Sequence, residues 1–457
     1  MAGTKDILLG KIRSGAEMSG GEQLRLCLLL SLPAILAQFS TILMEYIDAG
    51  MVGRLGATQA ASIGLVSTTT WIFGGFCMAT GSGFSVQVAQ RIGADDFTGA
   101  RQVLRQALVC VLAFSGALSL LGMGIANALP RWLGGGSDIV ADASAYFFIY
   151  AAFLPVMQLV FTGGAMLQAS GNMKVPSLLN VLMCLLDVGF NYLFIFTLGL
   201  GVKGAALGTG LAEVVTAVLM LYFLCVRSPE LNLRQDRGSF FPERKCLRTA
   251  FGISGPMWLQ NLIMRGAYVC STVIVAPLGT IAIAANSFAI IAESFCYMPG
   301  YGMEEAATTL VGQSAGARRK DLARHFAFIT TGMGAGMMTL LAALMFALAP
   351  QLMELLTTDP EVIALGAQVL RIEAFAETLY GVSIVAYGAC VGAGDTLVPS
   401  ALNLLSMWVV RIGLALILTP RFGLTGYWIA MCVELNLRGL LFAARLRGHK
   451  WLAKTLI

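Results

Sequence analysis

Charged residues are scarce in this sequence. Asp, Glu, Lys and Arg make up 12% of its 457 residues, whereas hydrophobic residues make up 57%. A soluble domain carries roughly 25% charged residues, so this composition excludes an ordinary soluble domain and indicates an integral membrane protein. The formal net charge of +5 does not indicate a nucleic-acid partner, because the basic residues are spread between apolar segments.

Catalytic and metal-binding motifs are also missing. The chain has only 2 histidines and contains no H-E-x-x-H, G-x-S-x-G or P-loop pattern. The 10 cysteines are dispersed and form no C-x-x-C pair, so we expect neither a zinc site nor a disulfide framework. The polar segment Met1–Glu22 lacks the apolar core of a removable signal peptide. We therefore predict no enzyme, no cofactor and no ATP-driven pump.

An internal repeat is the strongest feature that the sequence does contain. Pro33 recurs as Pro256 and Gly171 recurs as Gly394, and both pairs are separated by 223 residues. A single displacement indicates duplication of one half of the chain. In an apolar chain, such duplication is typical of transporters whose substrate site lies between the halves.

The apolar segments are long enough to cross a membrane, which takes about 20 residues as a helix. They predict an all-α integral membrane protein with twelve transmembrane helices in two six-helix repeats. The predicted spans are 26–52, 58–89, 103–128, 140–166, 176–198, 204–227, 249–276, 281–312, 325–348, 361–391, 399–419 and 424–444.

Basic residues are concentrated in alternate connecting segments. With a cytoplasmic N-terminus, the cytoplasmic side holds most of them, including Arg101, Arg105 and Arg438. The external side holds only Arg54, Arg131, Lys203 and Arg421. This asymmetry predicts both termini in the cytoplasm of a multi-pass protein of the plasma or inner membrane. Each half has an even number of spans, so the two repeats are predicted to be parallel.

The predicted domain organisation follows from these spans. It comprises a cytoplasmic N-terminal segment 1–25, an N-lobe 26–227, a cytoplasmic linker 228–248, a C-lobe 249–446 and a cytoplasmic tail 447–457.

Polar residues interrupt the predicted spans of the first half, where a charged side chain is costly. On the first span, Gln38, Thr41, Glu45 and Asp48 follow one another at helical spacing and share one face. The fifth span carries a second polar face, to which a residue of the sixth span can be added. These residues are Asn180, Asp187, Asn191 and Thr209.

Two carboxylates and two amides in a region of low dielectric constant can act in several ways. They can coordinate a dehydrated Na⁺, or one carboxylate can hold a proton, and either event makes an ion-coupling switch. They can also simply join helices through hydrogen bonds. The sequence leaves these alternatives open.

The second half carries charges of both signs within its spans. These residues are Arg265, Arg371, Arg411, Glu293, Glu373 and Glu377. They can form ion pairs between helices, in particular Arg265 or Arg411 with Glu293 or a tenth-span glutamate. Alternatively, they can form a polar substrate wall together with Trp258, Asn261, Tyr268, Tyr297 and Tyr387.

The run from Glu45 to Gly56 resembles the first-helix signature of multidrug and toxic-compound extrusion (MATE) transporters. The segments Leu310–Gly316 and Gly392–Thr396 are similar to further motifs of that family, and the resemblance covers essentially the whole chain. It implies two six-helix lobes that form a V-shaped transporter. It also implies export driven by re-entry of Na⁺ or H⁺.

The resemblance also assigns a cation-coupling site. Asp48 matches the acid of the N-lobe site, Asp187 and Asn191 match its fifth-helix pair, and Thr209 and Tyr146 match a threonine and a tyrosine beside it. With Asn180, these residues are the predicted coupling site, in which Asp48, Asp187 and Asn191 can bind Na⁺. An acid pair that some members carry on the seventh and tenth helices falls near Met264 and Tyr380 here, so that pair is absent.

We therefore expect a secondary active antiporter that exports amphipathic, cationic drugs or metabolites in exchange for H⁺ or Na⁺. Its expected partners are small organic substrates and the lipid bilayer, not nucleic acid, and it is expected to be monomeric. The predicted substrate-binding residues are Gln38, Glu45, Trp258, Asn261, Arg265, Glu293, Tyr297, Glu377 and Arg411. A flippase for a lipid-linked glycan is the alternative, because intramembrane arginines suit a pyrophosphate cargo. A membrane-embedded enzyme is a third.

Overall fold

The computed structural model describes residues 3–452, which form helices and connecting segments without a β-strand. Fifteen α-helices follow one another along the described chain. They are α1 Thr4–Ser14, α2 Gly20–Leu55, α3 Ala57–Gly93, α4 Phe97–Ile125, α5 Leu129–Trp132, α6 Val140–Ala169, α7 Lys174–Tyr192, α8 Gly201–Tyr222, α9 Arg244–Val275, α10 Thr280–Gly316, α11 Lys320–Glu354, α12 Pro360–Glu373, α13 Glu377–Gly392, α14 Leu397–Leu405 and α15 Gly413–Arg447. Turns of π-helix extend α7 and α8 and join α14 to α15, at Leu193–Thr197, Phe223–Arg227 and Ser406–Ile412.

The helices account for twelve membrane spans. Within the described residues, 10 helices are long and apolar enough to cross a membrane, and the bent pair α12 and α13 adds one more. One of the 10 runs from Leu397 to Arg447 over 51 residues. It breaks at Gly423, where φ is 60° and ψ is −141°, and a helix of that length would measure about 75 Å, far more than the hydrocarbon thickness of about 30 Å. It therefore counts as two spans, and the predicted all-α, twelve-helix fold class is confirmed.

The internal repeat extends to backbone conformation. Helices α3 and α10 begin and end 223 residues apart, at Ala57–Gly93 and Thr280–Gly316. Asp95 and Arg318, which follow these helices, both have positive φ, 62° and 59° respectively. A positive φ is uncommon outside glycine, so its recurrence at equivalent positions supports duplication of one ancestral half.

Local sequence explains where several helices begin. The Asp96 side chain accepts a hydrogen bond from the Gly99 N–H at 2.8 Å and so caps α4. Asp359 caps α12 in the same way, and Pro360 occupies the first helical position. Both are residue types that satisfy or dispense with the free N–H groups at a helix start.

Two compact units form from the chain. One contains residues 3–39 together with residues 259–452, and the other contains residues 40–258. Both α2 and α9 are therefore divided between units, whereas the sequence repeat divides the chain at the linker. The predicted lobes, 26–227 and 249–446, follow the sequence repeat, and their boundaries stay a prediction.

The predicted N-terminal segment 1–25 contains an amphipathic helix, α1, that sequence analysis did not anticipate. Its side chains Leu8, Leu9 and Ile12 are buried. Arg319 donates a hydrogen bond to the Lys11 carbonyl oxygen at 2.9 Å. In the predicted tail 447–457, Trp451 is buried, and residues 453–457 lie outside the described part of the chain, as do residues 1 and 2 of the N-terminal segment.

The linker between the repeats is attached to the start of α4. Arg101 Nε and Arg105 Nη2 each donate to a carboxylate oxygen of Asp236 at 2.5 Å. Burial opposes ionisation of this carboxyl, but hydrogen bonds from Arg105 and Arg101 outweigh it and hold the pKa of Asp236 below its usual range. Arg101 and Arg105 on α4 thus anchor the linker between the two repeats.

Candidate functional site

The predicted first-half site comes together around the side-chain amide of Asn191. Asn191 Nδ2 donates to Asp48 Oδ1 at 3.0 Å and to Asp187 Oδ2 at 3.1 Å. Asp187 and Asn191 are buried, and residues four apart on one helix face the same side. The structure therefore joins the polar face of α7 to the polar stripe of α2 at Asp48.

Oxygen atoms in this cluster remain available to a ligand. Among the described residues, buried Asp187 Oδ1 and Asn191 Oδ1 accept no hydrogen bond. The Asp48 carboxylate lies against Asp187, and Thr209 of α8 lies beside Asp187. Carboxylate and amide oxygens are ligands for a hard cation, and two adjacent carboxylates can also share a proton. Both chemical possibilities foreseen from the sequence fit this arrangement.

Gly208 makes the close approach of α8 possible. A Cβ at this position would overlap Asn191 Oδ1 and would approach the Asn191 backbone nitrogen to 2.9 Å. Only glycine lacks this atom. The residue before Thr209 therefore determines how near α8 comes to the amide that links Asp48 and Asp187.

The other residues predicted for this site lie at different distances from it. Tyr146 of α6 is close enough to interact electrostatically with Asp48 and Asp187. Asn180 is on α7 two turns before Asp187, and no hydrogen bond joins it to the cluster in the part of the chain that the structure describes. Glu213, which sequence analysis missed, interacts with Asp187. Its signal was an acidic residue inside the sixth span, one turn after Thr209.

Gln38 and Glu45 were grouped with the substrate-binding residues, but they lie in different surroundings. Gln38 Nε2 donates to Glu305 Oε1 at 3.3 Å, and it belongs to the compact unit that does not contain Asp48. Glu45 is exposed and near enough to Asp48 to interact electrostatically. The polar stripe on α2 is therefore divided: Gln38 contacts Glu305 in one compact unit, and Glu45 lies near Asp48 in the other.

Trp258 has contacts typical of packing. Its indole Nε1 donates to the Phe76 carbonyl oxygen at 3.2 Å and lies 3.1 Å from Thr80 Oγ1. Its ring stacks on Phe114 with centroids 5.3 Å apart. These contacts join α9 to α3 and α4.

Four further candidates of the second half lie on α9 and α10, namely Asn261, Arg265, Tyr268 and Tyr297. The Arg265 guanidinium lies 5.7 Å from the centroid of the Tyr268 ring, and Asn261 lies one turn before Arg265, partly buried. Tyr297 contacts the ring of Tyr380 with centroids 5.8 Å apart.

Arg411 pairs with a residue that sequence analysis did not choose. Its Nη2 donates to Glu434 Oε2 at 2.7 Å, and Arg438 Nε donates to Glu434 Oε1 at 2.7 Å. For Arg411 the predicted partner, Glu293 or a tenth-span glutamate, was wrong, since that choice depends on how α15 packs, and the Arg265 alternative stays a prediction. Arg438 was assigned to the cytoplasmic segments, but it is 7% exposed because α15 carries it into the ion pair.

Glu293 and Glu377 lie together in a second cluster, with Glu373 as its third member. One carboxylate oxygen from each lies within 4.8 Å of the others. This cluster is separate from Asp48 and belongs to the other compact unit.

Two segments of the chain, residues 33–193 and 256–417, match the MatE family model. The chain belongs to the MatE family. The two matched segments start 223 residues apart, so the family relationship contains the same duplication as the sequence. Membership confirms the resemblance to MATE transporters and identifies a multi-pass membrane protein.

Similar proteins and structures agree with this assignment. The chain is 25% identical over 434 residues to a probable multidrug resistance protein NorM of Thermotoga maritima, covering 92% of each chain. It is 23% identical to the multidrug resistance protein MdtK of Yersinia enterocolitica, covering 94% of this chain and 96% of that protein. The structure of a MOP superfamily transporter from Pyrococcus furiosus has a TM-score of 0.89 at 23% identity, covering 98% of this chain and 99% of the other. That likeness shows a shared fold.

Proposed function

We propose that this MatE protein is a secondary active antiporter that exports amphipathic organic cations from the cytoplasm in exchange for H⁺ or Na⁺. The observation that carries the proposal is the pair of carboxylates, Asp48 and Asp187, joined by Asn191 within membrane-spanning helices. Intramembrane acids are costly and mark ion or proton pathways. The names of the similar proteins, multidrug resistance proteins NorM and MdtK, support the substrate class.

Asp48 is assigned the charge that couples ion entry to export. Asp187 shares the proton or cation with it, and the Asn191 amide holds the two carboxylates in register. Thr209 and Tyr146 complete the surroundings of the ion. Binding of the ion would favour one conformation of the helices and binding of the drug another, so that each ligand shifts the same equilibrium.

The proposed orientation places both termini in the cytoplasm of the cell membrane. The distribution of basic residues supports this orientation, and Arg101 and Arg105 then lie on the cytoplasmic side with the linker that they hold. The substrates would be small organic molecules, and the protein would act as a monomer without an enzymatic step.

Arg411, one of the three intramembrane arginines behind the alternative of a glycan-lipid flippase, gives that alternative little support. That cargo carries pyrophosphate and would need unpaired cations in the cavity. Arg411 and Arg438 instead both pair with Glu434, which compensates part of their charge. The antiporter is therefore the function that we put forward.

Transport into proteoliposomes under separately imposed gradients tests this proposal. Purified protein would be reconstituted with a fluorescent organic cation, and an H⁺ gradient or a Na⁺ gradient would be applied in turn. We expect one gradient to drive dye movement that stops when an ionophore collapses it. Dye movement that is independent of both gradients, or no movement above empty liposomes, would contradict the antiporter assignment.

A further inference from the structure

The glutamate cluster of the second half is unusual for its burial. Glu293 is 6% exposed, and Glu373 and Glu377 are 0% exposed. The three side chains come from α10, the end of α12 and the start of α13. Three acids thus converge in an interior where even one charge is expensive.

Most of the carboxylate oxygens in this cluster have no hydrogen-bond donor. All four oxygens of Glu373 and Glu377 are buried without a partner in the described part of the chain. The Cys296 thiol lies beside Glu377, but its hydrogen bond goes to the Met338 carbonyl oxygen at 3.7 Å. Buried polar groups are almost always satisfied, so these oxygens indicate a ligand.

A break in a membrane-spanning helix brings Glu373 and Glu377 together. Helices α12 and α13 are bent by 59° relative to each other, and the bend lies between Glu373 and Glu377. The Ala376 N–H closes the turn by donating to the Glu373 carbonyl oxygen at 2.7 Å. Interrupted helices at membrane depth are tolerated where they line a site, and their ends commonly coordinate ions.

The charge of the surrounding network favours a divalent ion. Arg411 is the nearby cation that interacts with Glu293 and Glu373, and with Arg438 it also binds Glu434. With a cation bound, four ionised glutamates and two arginines would carry a net charge of −2. A single divalent cation neutralises this charge, whereas one monovalent cation leaves half of it.

The spacing of the oxygens is compatible with one central ion. Oxygens no more than 4.8 Å apart lie on a circle of radius at most about 2.8 Å, so one central ion can reach all three at the distances of a hard divalent cation after small side-chain adjustments. Every candidate ligand in the cluster is a carboxylate oxygen, the type that hard cations prefer.

We propose that Glu293, Glu373 and Glu377 bind one hard divalent cation, for which Ca²⁺ serves as the probe. The ion would connect α10 to both sides of the α12–α13 break. The positions equivalent to these glutamates in the first repeat are Thr70, Tyr150 and Leu154, so the first half has no such cluster. The inference concerns ion binding and does not depend on the export activity.

Direct binding of radioactive Ca²⁺ to the full-length protein tests the site. The protein would be purified in detergent, washed with chelator and dialysed against ⁴⁵Ca²⁺ in the presence of 150 mM Na⁺ or K⁺, roughly physiological ionic strength. We expect saturable binding of one Ca²⁺ per chain and a Ca²⁺-dependent rise in the melting temperature. Glu373→Gln and Glu377→Gln should each weaken binding at least tenfold. Glu361→Gln, an exposed position on the same helix α12, is the matched control and should bind as the wild type does.

Several results would overturn the proposal. These are no saturable binding by the wild type at millimolar Ca²⁺, full displacement by Na⁺, or unchanged affinity in the Glu373→Gln and Glu377→Gln proteins. Folding is checked by their elution volume and by their melting temperature without Ca²⁺, which should equal or exceed that of the wild type because the replaced carboxyl group is costly to ionise in the interior. If either variant is misfolded, Na⁺ competition on the wild type decides: full displacement of Ca²⁺ by Na⁺ would contradict a site for a divalent cation.

Discussion

Asn191 donates a hydrogen bond to Asp48 at 3.0 Å, across 143 residues of sequence. The same amide nitrogen donates to Asp187 one turn earlier on its own helix. One neutral side chain therefore holds two acids next to each other inside the membrane. Any change in the protonation or cation occupancy of either acid must alter this arrangement, and the first predictions concern it.

Asp48→Asn should abolish gradient-driven efflux while leaving the protein folded. The substitution keeps the shape of the side chain and most of its hydrogen bonding but removes the charge that would couple to an ion. Asp187→Asn should reduce efflux in the same direction, less completely, since the pair titrates as a unit. The measurement is dye efflux from proteoliposomes, with Asp142→Asn on α6 as a control. Wild-type efflux with unchanged ion dependence in Asp48→Asn would place coupling elsewhere.

Gly208→Ala should impair transport through the position of Asn191. The added Cβ would overlap Asn191 Oδ1, and overpacking of this kind costs about 1–3 kcal/mol of stability. We expect a lower melting temperature together with reduced efflux. Gly189→Ala on α7 is the control, because a Cβ added there would meet no atom of the described residues within 4 Å. Equal effects of the two substitutions would show that the approach of α8 is unimportant.

The Arg411–Glu434 pair should behave as a coupled unit in thermal unfolding. Arg411 Nη2 and Glu434 Oε2 are 2.7 Å apart and buried. Removing one partner from such a pair leaves an uncompensated charge and costs about 3–5 kcal/mol. The double variant Arg411→Met with Glu434→Gln should therefore lose less stability than the sum of the single variants. Additive losses would argue against this ion pair.

The same cycle with Glu293→Gln in place of Glu434→Gln provides the comparison. Glu293 interacts with Arg411 electrostatically, without the direct hydrogen bonds of Glu434. We expect a smaller coupling energy for Arg411 with Glu293. A larger coupling energy with Glu293 than with Glu434 would show that Glu293, the partner predicted from the sequence, is the main partner of Arg411.

The linker should be released when Asp236 loses its charge. The pKa of this carboxyl is lowered in the folded protein, so its contribution to stability is present at neutral pH and is lost as the pH falls through the lowered pKa. Asp236→Asn should therefore make trypsin cleave faster at Arg234 or Arg237 at pH 7. Glu17→Gln, in an exposed part of the N-terminal segment, serves as the control. Identical cleavage rates would contradict an anchoring role for Asp236.

Accessibility of single cysteines should reveal the orientation in the membrane. We expect residues 91–101 and 228–245 to react only from the cytoplasmic side and residues 130–138 to react from outside, as the distribution of basic residues predicts. Intact cells exposed to a membrane-impermeant thiol reagent provide the measurement. Labelling of residues 228–245 from outside would refute the proposed topology.

The sequence alone was sufficient for the repeat and the number of spans. The apolar character of a span can be read locally, and duplication leaves the same displacement in every matched pair, as at Pro33 and Pro256. It also placed Asp187 and Asn191 on one helix face, because a period of 3.6 residues decides which side chains of a helix point the same way. Even Glu213 was visible as an acid inside a span.

Only the tertiary structure decided which faces meet. Helical periodicity does not say which helix lies opposite another. It therefore could not show that Asp48 contacts Asn191, nor that Gln38 on the same helix belongs to a different compact unit. It could not choose Glu434 over Glu293 for Arg411, since both acids lie within spans and only the packing of α15 brings one of them within 2.7 Å. The glutamates at the α12–α13 break converge for the same reason: a 59° bend sets directions that no local pattern contains.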